Sequence, residues 1–421
     1  MSELTTDGQD ALAVPDPDIV FRRLPEGQGR PGEVGVDLLL EGRPISTCAI
    51  IPLTLRIGVA TVRMDGIGMV GTLQEYRGRG YARRMLTAAV AQMAAGDAAL
   101  TMLYGIPNFY PQFGYTTAGP EYTLSVPLTG PAPPLAAGWQ VRPALPADLP
   151  ALQRLYDRDT AGAVGAVLRS PGLYPWTKLA QLGAADLAAE CCVVVDPGGT
   201  VAAYAWGDRA SWFTREVARA HPHSLVLAEV VARDATAADA VLAACHGWAW
   251  EEAQARGTPL KAVVLALPPE GPVAAAARHG PVTFHQQFSA ASGFMVRVLH
   301  AGRLLAALAP ELEQRLRAAF PAARGTLRLE TDVGNVTLHL TSAGLAVEEN
   351  ARGTSGAPGL TPGEDMVVRL PQTTLARLAL GAYSPADLLA RLERPPEGQT
   401  LALLEALFPL RHPHLSLPDR F

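Results

Sequence analysis

The strongest constraint in this sequence is an unbroken succession of strand, glycine turn and helix. From residue 60, ATVRMDGIGMVGTL reads as strand, and Arg77-Gly78-Arg79-Gly80-Tyr81-Ala82 then turns the chain. YARRMLTAAVAQMAAG follows, with Met85, Leu86, Ala89, Val90 and Met93 at helical spacing and a stop at Gly96. Another strand at 99–104 completes a βαβ unit, which predicts a parallel strand pair crossed by a helix. Upstream, VGVDLLLEGRPISTCAII predicts a hairpin turning at Glu41-Gly42.

A glycine turn that opens a helix can hold an anion, because the first N–H groups of the helix have no internal partner and the helix dipole favours negative charge. Gly78 and Gly80 would let phosphates approach the backbone, and Arg77, Arg79, Arg83 and Arg84 add positive charge. The same arginines also fit a solvated helix face. No GK[ST] occurs, and no GxGxxG loop stands between strand and helix, which disfavours nucleoside triphosphate and dinucleotide loops.

The remaining sequence sets the surroundings. A formal charge of −5, with Lys178 and Lys261 as the only lysines, disfavours a nucleic-acid partner. The acidic start does not read as a signal peptide and no apolar run is long enough for a membrane span, so a cytoplasmic location and no membrane partner are expected. Cys48, Cys191, Cys192 and Cys245 are too few and too oddly spaced for a disulfide framework. His221 with His223, and His412 with His414, lack a third ligand at metal-binding spacing, so no metal is expected.

TGPAPPLAAG, residues 129–138, is the clearest linker. After it the order of elements repeats: strand WQVRPA, a helix expected to be capped by Asp148, hairpin CCVVVDPGGTVAAYAWG, strand SLVLAEVVARD, helix TAADAVLAACHGWAWEEAQARG and strand LKAVVLAL. A third, α+β region opens with helix LLAALAPELEQRLRAAF and then alternates as a meander turning at Gly334-Asn335. The expected organisation is a loose arm at 1–32, a first domain at 33–130, a linker at 131–138, a second domain at 139–300 and a third at 301–421. In the third, Leu375, Leu378, Leu380 and Leu388 read as core rather than the lining of a lipid cavity.

Some 26 residues after the glycine turn comes Asn108-Phe109-Tyr110-Pro111-Gln112-Phe113-Gly114-Tyr115, a short helix ended by glycine. RGRGYA followed at this distance by NFYPQFGY resembles the GNAT acetyltransferase superfamily, and the succession of three regions ending in Phe421 resembles its enhanced intracellular survival (Eis) family. The fold this implies is α/β and α+β: two tandem GNAT-like domains followed by a sterol-carrier-like α+β domain. The implied cofactor is acetyl-CoA as co-substrate. Val70, Gly71 and Thr72 would meet its acetyl and pantetheine arm, Arg77, Gly78, Arg79, Gly80, Tyr81, Ala82 and Arg83 would wrap its pyrophosphate, and Gly105 and Ile106 would flank it. The resemblance makes Tyr110 the general acid, with Tyr115 as competitor, and the Phe421 α-carboxylate the general base.

The expected activity is transfer of acetyl to a primary amine of an aminoglycoside-, lysine- or polyamine-like small molecule, directly within a ternary complex. A phenol near pKa ~10 can protonate a departing thiolate whose thiol pKa is near ~8.5. The second domain has no glycine in the equivalent turn, and Asp234 and Asp239 bracket it, so no cofactor is expected there. The family carries two helices between its first two strands; here only residues 25–36 are available, which leaves an acceptor site that is open, or filled by the arm or a neighbouring subunit. The alternative function is a non-catalytic acyl-CoA sensor or lipid-binding protein. The resemblance implies self-assembly into a hexamer.

Overall fold

The structure, a computed structural model, describes residues 17–24, 29–170, 172–342, 344–350 and 366–421. The expected arm lies outside the described residues at 1–16 and 25–28. Within its described part, β1 (Asp18–Arg23) pairs antiparallel with β2 (Val34–Leu40). β2 and β3 (Arg43–Ile57) form the hairpin predicted at Glu41-Gly42, whose φ angles of 51° and 77° match the two-residue turn that follows strand twist. β4 (Ala60–Thr72) returns along β3.

α1 (Tyr81–Ala95) buries the five residues of its predicted apolar face against β2, β3 and β4. Each of the larger ones contributes about 1.5–3 kcal/mol on burial. That outweighs the roughly 0.5–2 kcal/mol associated with a side-chain N-cap, which Gly80 does not provide. Packing therefore holds the helix while its N-terminus stays uncapped. β5 (Leu100–Gly105) runs parallel to β4, and β6 (Thr116–Thr117) and β7 (Glu121–Pro127) follow.

The second half comprises β8 (Gln140–Pro143), α2 (Leu149–Asp159), β9 (Val164–Val167), α3 (Tyr174–Gln181), α4 (Ala184–Glu190), β10 (Cys191–Val195), β11 (Val201–Trp206) and α5 (Trp212–Ala220). It continues with β12 (Ser224–Leu227), β13 (Glu229–Ala232), α6 (Ala235–Arg256), β14 (Ala262–Leu265), α7 (Gly271–Ala277), β15 (Thr283–Gln287) and β16 (Gly293–Val298). Asp148 does not cap α2 through its side chain: its carboxylate is forked by Arg142 at 2.6 and 2.8 Å and accepts from Leu145 N–H, so a nearby guanidinium has taken it from the helix. SLVLAEVVARD is two strands rather than one. It breaks at Ala228, so that β12 pairs with β14 while β13 pairs with β11 in a different sheet.

The halves exchange strands. β16 inserts between β5 and β6, pairing Gly293 with Gly105 and Val298 with Leu100, while β7 inserts between β14 and β15. Each half thus supplies a strand to the other's sheet, and β9 adds a further tie to β3.

The third region contains α8 (Ala301–Ala319), β17 (Gly325–Thr331), β18 (Gly334–Thr341), β19 (Gly344–Asn350), β20 (Met366–Arg369), α9 (Gln372–Leu380), α10 (Pro385–Leu389) and α11 (Gly398–Leu407). The turn of its meander falls at Asp332-Val333, two residues before the predicted Gly334-Asn335, because Thr331 already pairs with Gly334. α8 packs on β18, β19 and β4, joining this sheet to the first through one continuous core that also holds Leu375, Leu378, Leu380 and Leu388. Glu311 of α8 accepts from Val59 N–H at 2.7 Å and fills the space beside Gly58 at the β3–β4 turn. After α11 the chain runs back across both halves without regular structure apart from a short 3-10 turn at Leu417–Asp419.

Candidate functional site

The site begins where two paired strands part. β4 and β5 pair only from Met64–Leu100 to Gly66–Met102, although β4 continues to Thr72 and β5 to Gly105. A bulge against β3 lies between Thr47 and Ala49, where Met69 adopts φ 53°; bulges of this kind bend a strand away from its neighbour. Val70, Gly71 and Thr72 line the outer end of the opening. There Ser46 Oγ donates to Gly71 O at 3.0 Å, and Arg77 Nε donates to Thr72 O at 3.0 Å. A cleft lined by Ser46, Thr47, Gly71, Thr72, Gln74 and Arg77 lies beside it.

The glycine turn stands at the same end. Gly78 and Gly80 have φ 74° and 83°, in the left-handed region that other residues enter at a cost, and nothing lies within 4 Å of a Cβ built on either. Gly80 caps α1 without a side chain, no acidic residue lies in the first turn, and the first helical bond is Arg84 N–H to Gly80 O. Arg77, Arg79 and Arg83 are exposed around it, while Tyr81 and Ala82 are half-buried. An anion reaching this turn meets free N–H groups with no steric bar.

Tyr110 opens the short 3-10 turn Tyr110–Phe113, which ends at Gly114 with φ 79°. Its buried ring fills the space beside Gly105, where an added Cβ would fall 2.9 Å from Tyr110 Cδ2 and 2.5 Å from Met295 Sδ. Burial, and secondarily the nearby Cys48, pushes the phenol up to about 12, and among the described residues its hydroxyl makes no hydrogen bond. Tyr115 differs: its hydroxyl is buried and bonded to Thr101 Oγ1 at 2.9 Å. Ile106 is exposed, just past the end of β5.

Phe421 arrives from the opposite face. A Cβ on Gly66 would fall 2.2 Å from Phe421 Cζ, and one on Gly68 would fall 3.1 Å from its carboxyl carbon. The run Gly66-Ile67-Gly68-Met69-Val70-Gly71 has dinucleotide-loop spacing, yet it lies inside β4. Its first two glycines make room for the chain end. Tyr110 belongs, with Ile67, Leu103 and Met295, to the core under α1, whereas Phe421 packs with Met64 and Met102 on the other side of the sheet. The parted strands therefore have a neutral phenol on one face and a carboxylate on the other.

Sequence reading missed the groups that seat the chain end. Arg30 donates to the carbonyls of Asp419 at 3.2 Å and Arg420 at 2.8 Å, and lies 5.4 Å from the Phe421 ring centre. Arg420 pairs with Glu121 and covers the Tyr104 ring at 4.2 Å. Gly66 and Gly68 were the available signal, since alternating glycines in a strand mark a close approach. Among the described residues no group of three His, Cys, Asp or Glu is placed to hold a metal; His412 bonds Glu270, and burial pushes His414 down to about 3.

The family described as an acetyltransferase (GNAT) domain matches residues 34–118. Among solved structures, a GCN5-related N-acetyltransferase from Anabaena variabilis is similar at 19% identity and TM-score 0.63, over 92% of this chain and 89% of that one. One from Kribbella flavida is similar at 19% identity and TM-score 0.63, over 92% and 88% of the two chains. Eis1 from Mycobacterium abscessus aligns at 17% identity and TM-score 0.59, over 96% of this chain and all (100%) of that one. A comparison with curated protein sequences found no match. Residues 34–118 thus match a GNAT acetyltransferase domain, within a chain that shares its fold with these proteins over more than nine-tenths (92–96%) of its length.

Proposed function

We propose that this protein is an N-acetyltransferase that moves the acetyl group of acetyl-CoA to a primary amine of a small molecule. The observation that carries the proposal is the parted β4–β5 pair, with an uncapped glycine turn at its outer end, Tyr110 on one face and the Phe421 carboxylate on the other. The open space at Gly78 and Gly80 fits a pyrophosphate, and the unpaired strand edge of Val70, Gly71 and Thr72 fits an amide-bearing pantetheine arm. Acetyl-CoA supplies an activated thioester.

In this reading the Phe421 carboxylate takes one proton from the ammonium form of the acceptor, freeing its lone pair. The nitrogen then bonds to the acetyl carbon as the carbon–sulfur bond breaks. Tyr110 gives its proton to the departing sulfur and regains one, through solvent, from the acylated nitrogen. The net products are amide, thiol and one released proton. Burial keeps Tyr110 protonated at neutral pH, as an acid must be, and makes it a weak acid, so its proton moves as the sulfur charge develops.

The acceptor class we favour is an aminoglycoside-, lysine- or polyamine-like amine, approaching from the Phe421 face. The short connection from β1 to β2 favours a second reading, a sensor that binds acyl-CoA without transferring it. Thiol release measured with kanamycin, spermidine and lysine methyl ester, beside calorimetric titration with acetyl-CoA, separates the two. Amine-dependent thiol release supports the enzyme, and binding of one acetyl-CoA per chain with no release on a wider amine panel supports the sensor.

A further inference from the structure

The second half keeps a parted strand pair of its own, and the chain end runs through it. β12 pairs with β14 as far as Leu227 and Leu265, beyond which β13 turns to β11 and the two lines separate. The gap is a cleft bordered by Glu229, Val231, Ala266 and Leu267; the end of α2, the loop after it and β9 form another wall, and the tail lines it at His414 and Ser416. His414 N–H donates to Val164 O at 2.9 Å, and Ser416 Oγ donates to Glu229 Oε2 at 2.6 Å.

Beside this gap lies a charge cluster that the proposed chemistry does not use. Arg169, on the segment leaving β9, forks onto both carboxylates: Nε and Nη2 reach Asp419 at 2.8 and 2.9 Å, and Nη1 and Nη2 reach Glu229 at 3.0 and 2.6 Å. The side chains of Arg169, Glu229 and Asp419 are 0%, 5% and 1% exposed. Tyr204 donates to Glu229 at 2.7 Å, and the guanidinium sits 3.7 Å from the Tyr156 ring centre and 4.8 Å from that of Trp176. Three buried ions are a poor source of net stability, because desolvation offsets their attraction; what such a group does supply is a single allowed geometry. Asp419 stands two residues, about 7 Å of chain, from the terminal carboxylate.

We propose that the parted strands of the second half are the holder of the C-terminal tail, and that Arg169, acting through Asp419 and Glu229, is the positioning residue for the Phe421 carboxylate. The inference rests on the reading of that carboxylate as the base. Arg420, pinned by Glu121 and Tyr104, and Arg30, which donates to the carbonyls of Asp419 and Arg420, complete the register, so the two residues before Phe421 are each tethered. Both halves then serve one reaction: the first holds the acyl donor and the second aims the base.

The test is made on the full chain, with Asp419→Ala and with Asp419→Asn, which keeps the shape and is used alone should the alanine variant lose cooperative melting. Trimming of Phe421 by carboxypeptidase Y, read by intact mass, needs no acceptor. It is expected to run at least 10-fold faster in the variant than in the parent at a temperature where both are folded. With spermidine as the amine probe, kcat is expected to fall at least 10-fold and the acetyl-CoA KM to stay within about twofold. Deleting Phe421 from the variant is expected to bring turnover to the level of the Phe421 deletion alone and no lower, since both changes act on the same carboxylate. Trimming at the parental rate, or losses that multiply in the double variant, overturns the positioning role. Turnover that survives deletion of Phe421 in the parent overturns the base reading itself, and the positioning role with it.

Discussion

The two parted strand pairs show one backbone device beside two different helix ends. In each, a strand runs parallel to a partner across a helix and then diverges from it, β4 from β5 and the β12–β13 line from β14. In the first half the helix begins at Gly80, with no side chain on its N–H groups. In the second, Asp234 Oδ1 accepts from Ala237 N–H at 3.0 Å, so the N-terminus of α6 already carries its own carboxylate. A phosphate entering the first site meets a positive, open end; entering the second it meets an N–H already taken by Asp234, whose carboxylate is paired with Arg233. In the proposed reading, the difference between a ligand slot and a holder of the protein's own tail begins with one residue at a helix cap.

The comparison breaks most visibly at the chain end. Adding a few residues after Phe421, or removing it, is expected to lower acetyl transfer by about 10²-fold or more while acetyl-CoA binding, measured by calorimetry, persists. Full turnover in a C-terminally extended protein removes the carboxylate from the mechanism. Next comes Tyr110→Phe, for which kcat is expected to fall by roughly 10²-fold at unchanged acetyl-CoA affinity. Because burial raises this phenol to about 12, it stays protonated through pH 10, and kcat should show no alkaline fall from Tyr110 below that pH. Tyr115→Phe, which loses the bond to Thr101, is expected instead to lower stability by about 1–2 kcal/mol with little change in kcat.

Two smaller changes compare the helix caps directly. Gly80→Glu places a strained, negative side chain at the mouth of the first site and is expected to weaken acetyl-CoA binding by roughly 10- to 100-fold. Asp234→Ala is expected to cost about 1 kcal/mol of stability as a lost cap, and to leave the stoichiometry at one acetyl-CoA per chain because the tail still lines and narrows the gap. Two acetyl-CoA per chain in that variant, read by calorimetry, means that the cap alone closes the second site.

Much of the first site was legible because its signals are local. The helix face of Met85 to Met93, the Glu41-Gly42 turn and the glycine opening before Tyr81 each depend on residues within a few positions of one another. Asp148 was misread because Arg142, which takes its carboxylate, lies outside the helix pattern. The cluster of Arg169, Glu229 and Asp419 was invisible because its members stand 60 and 250 positions apart.

The sequence by itself determined the local devices: which helix stays uncapped, which strand carries glycine, where a tyrosine follows a turn. Only the tertiary structure decided that β7 and β16 change halves, that the tail crosses the second gap, and that the Phe421 carboxyl carbon lies against Gly68. The physical reason is that alternation fixes which face of a strand is buried and leaves its partner unnamed. Pairing across hundreds of residues is selected by the packing of the whole core, which no window of the chain contains.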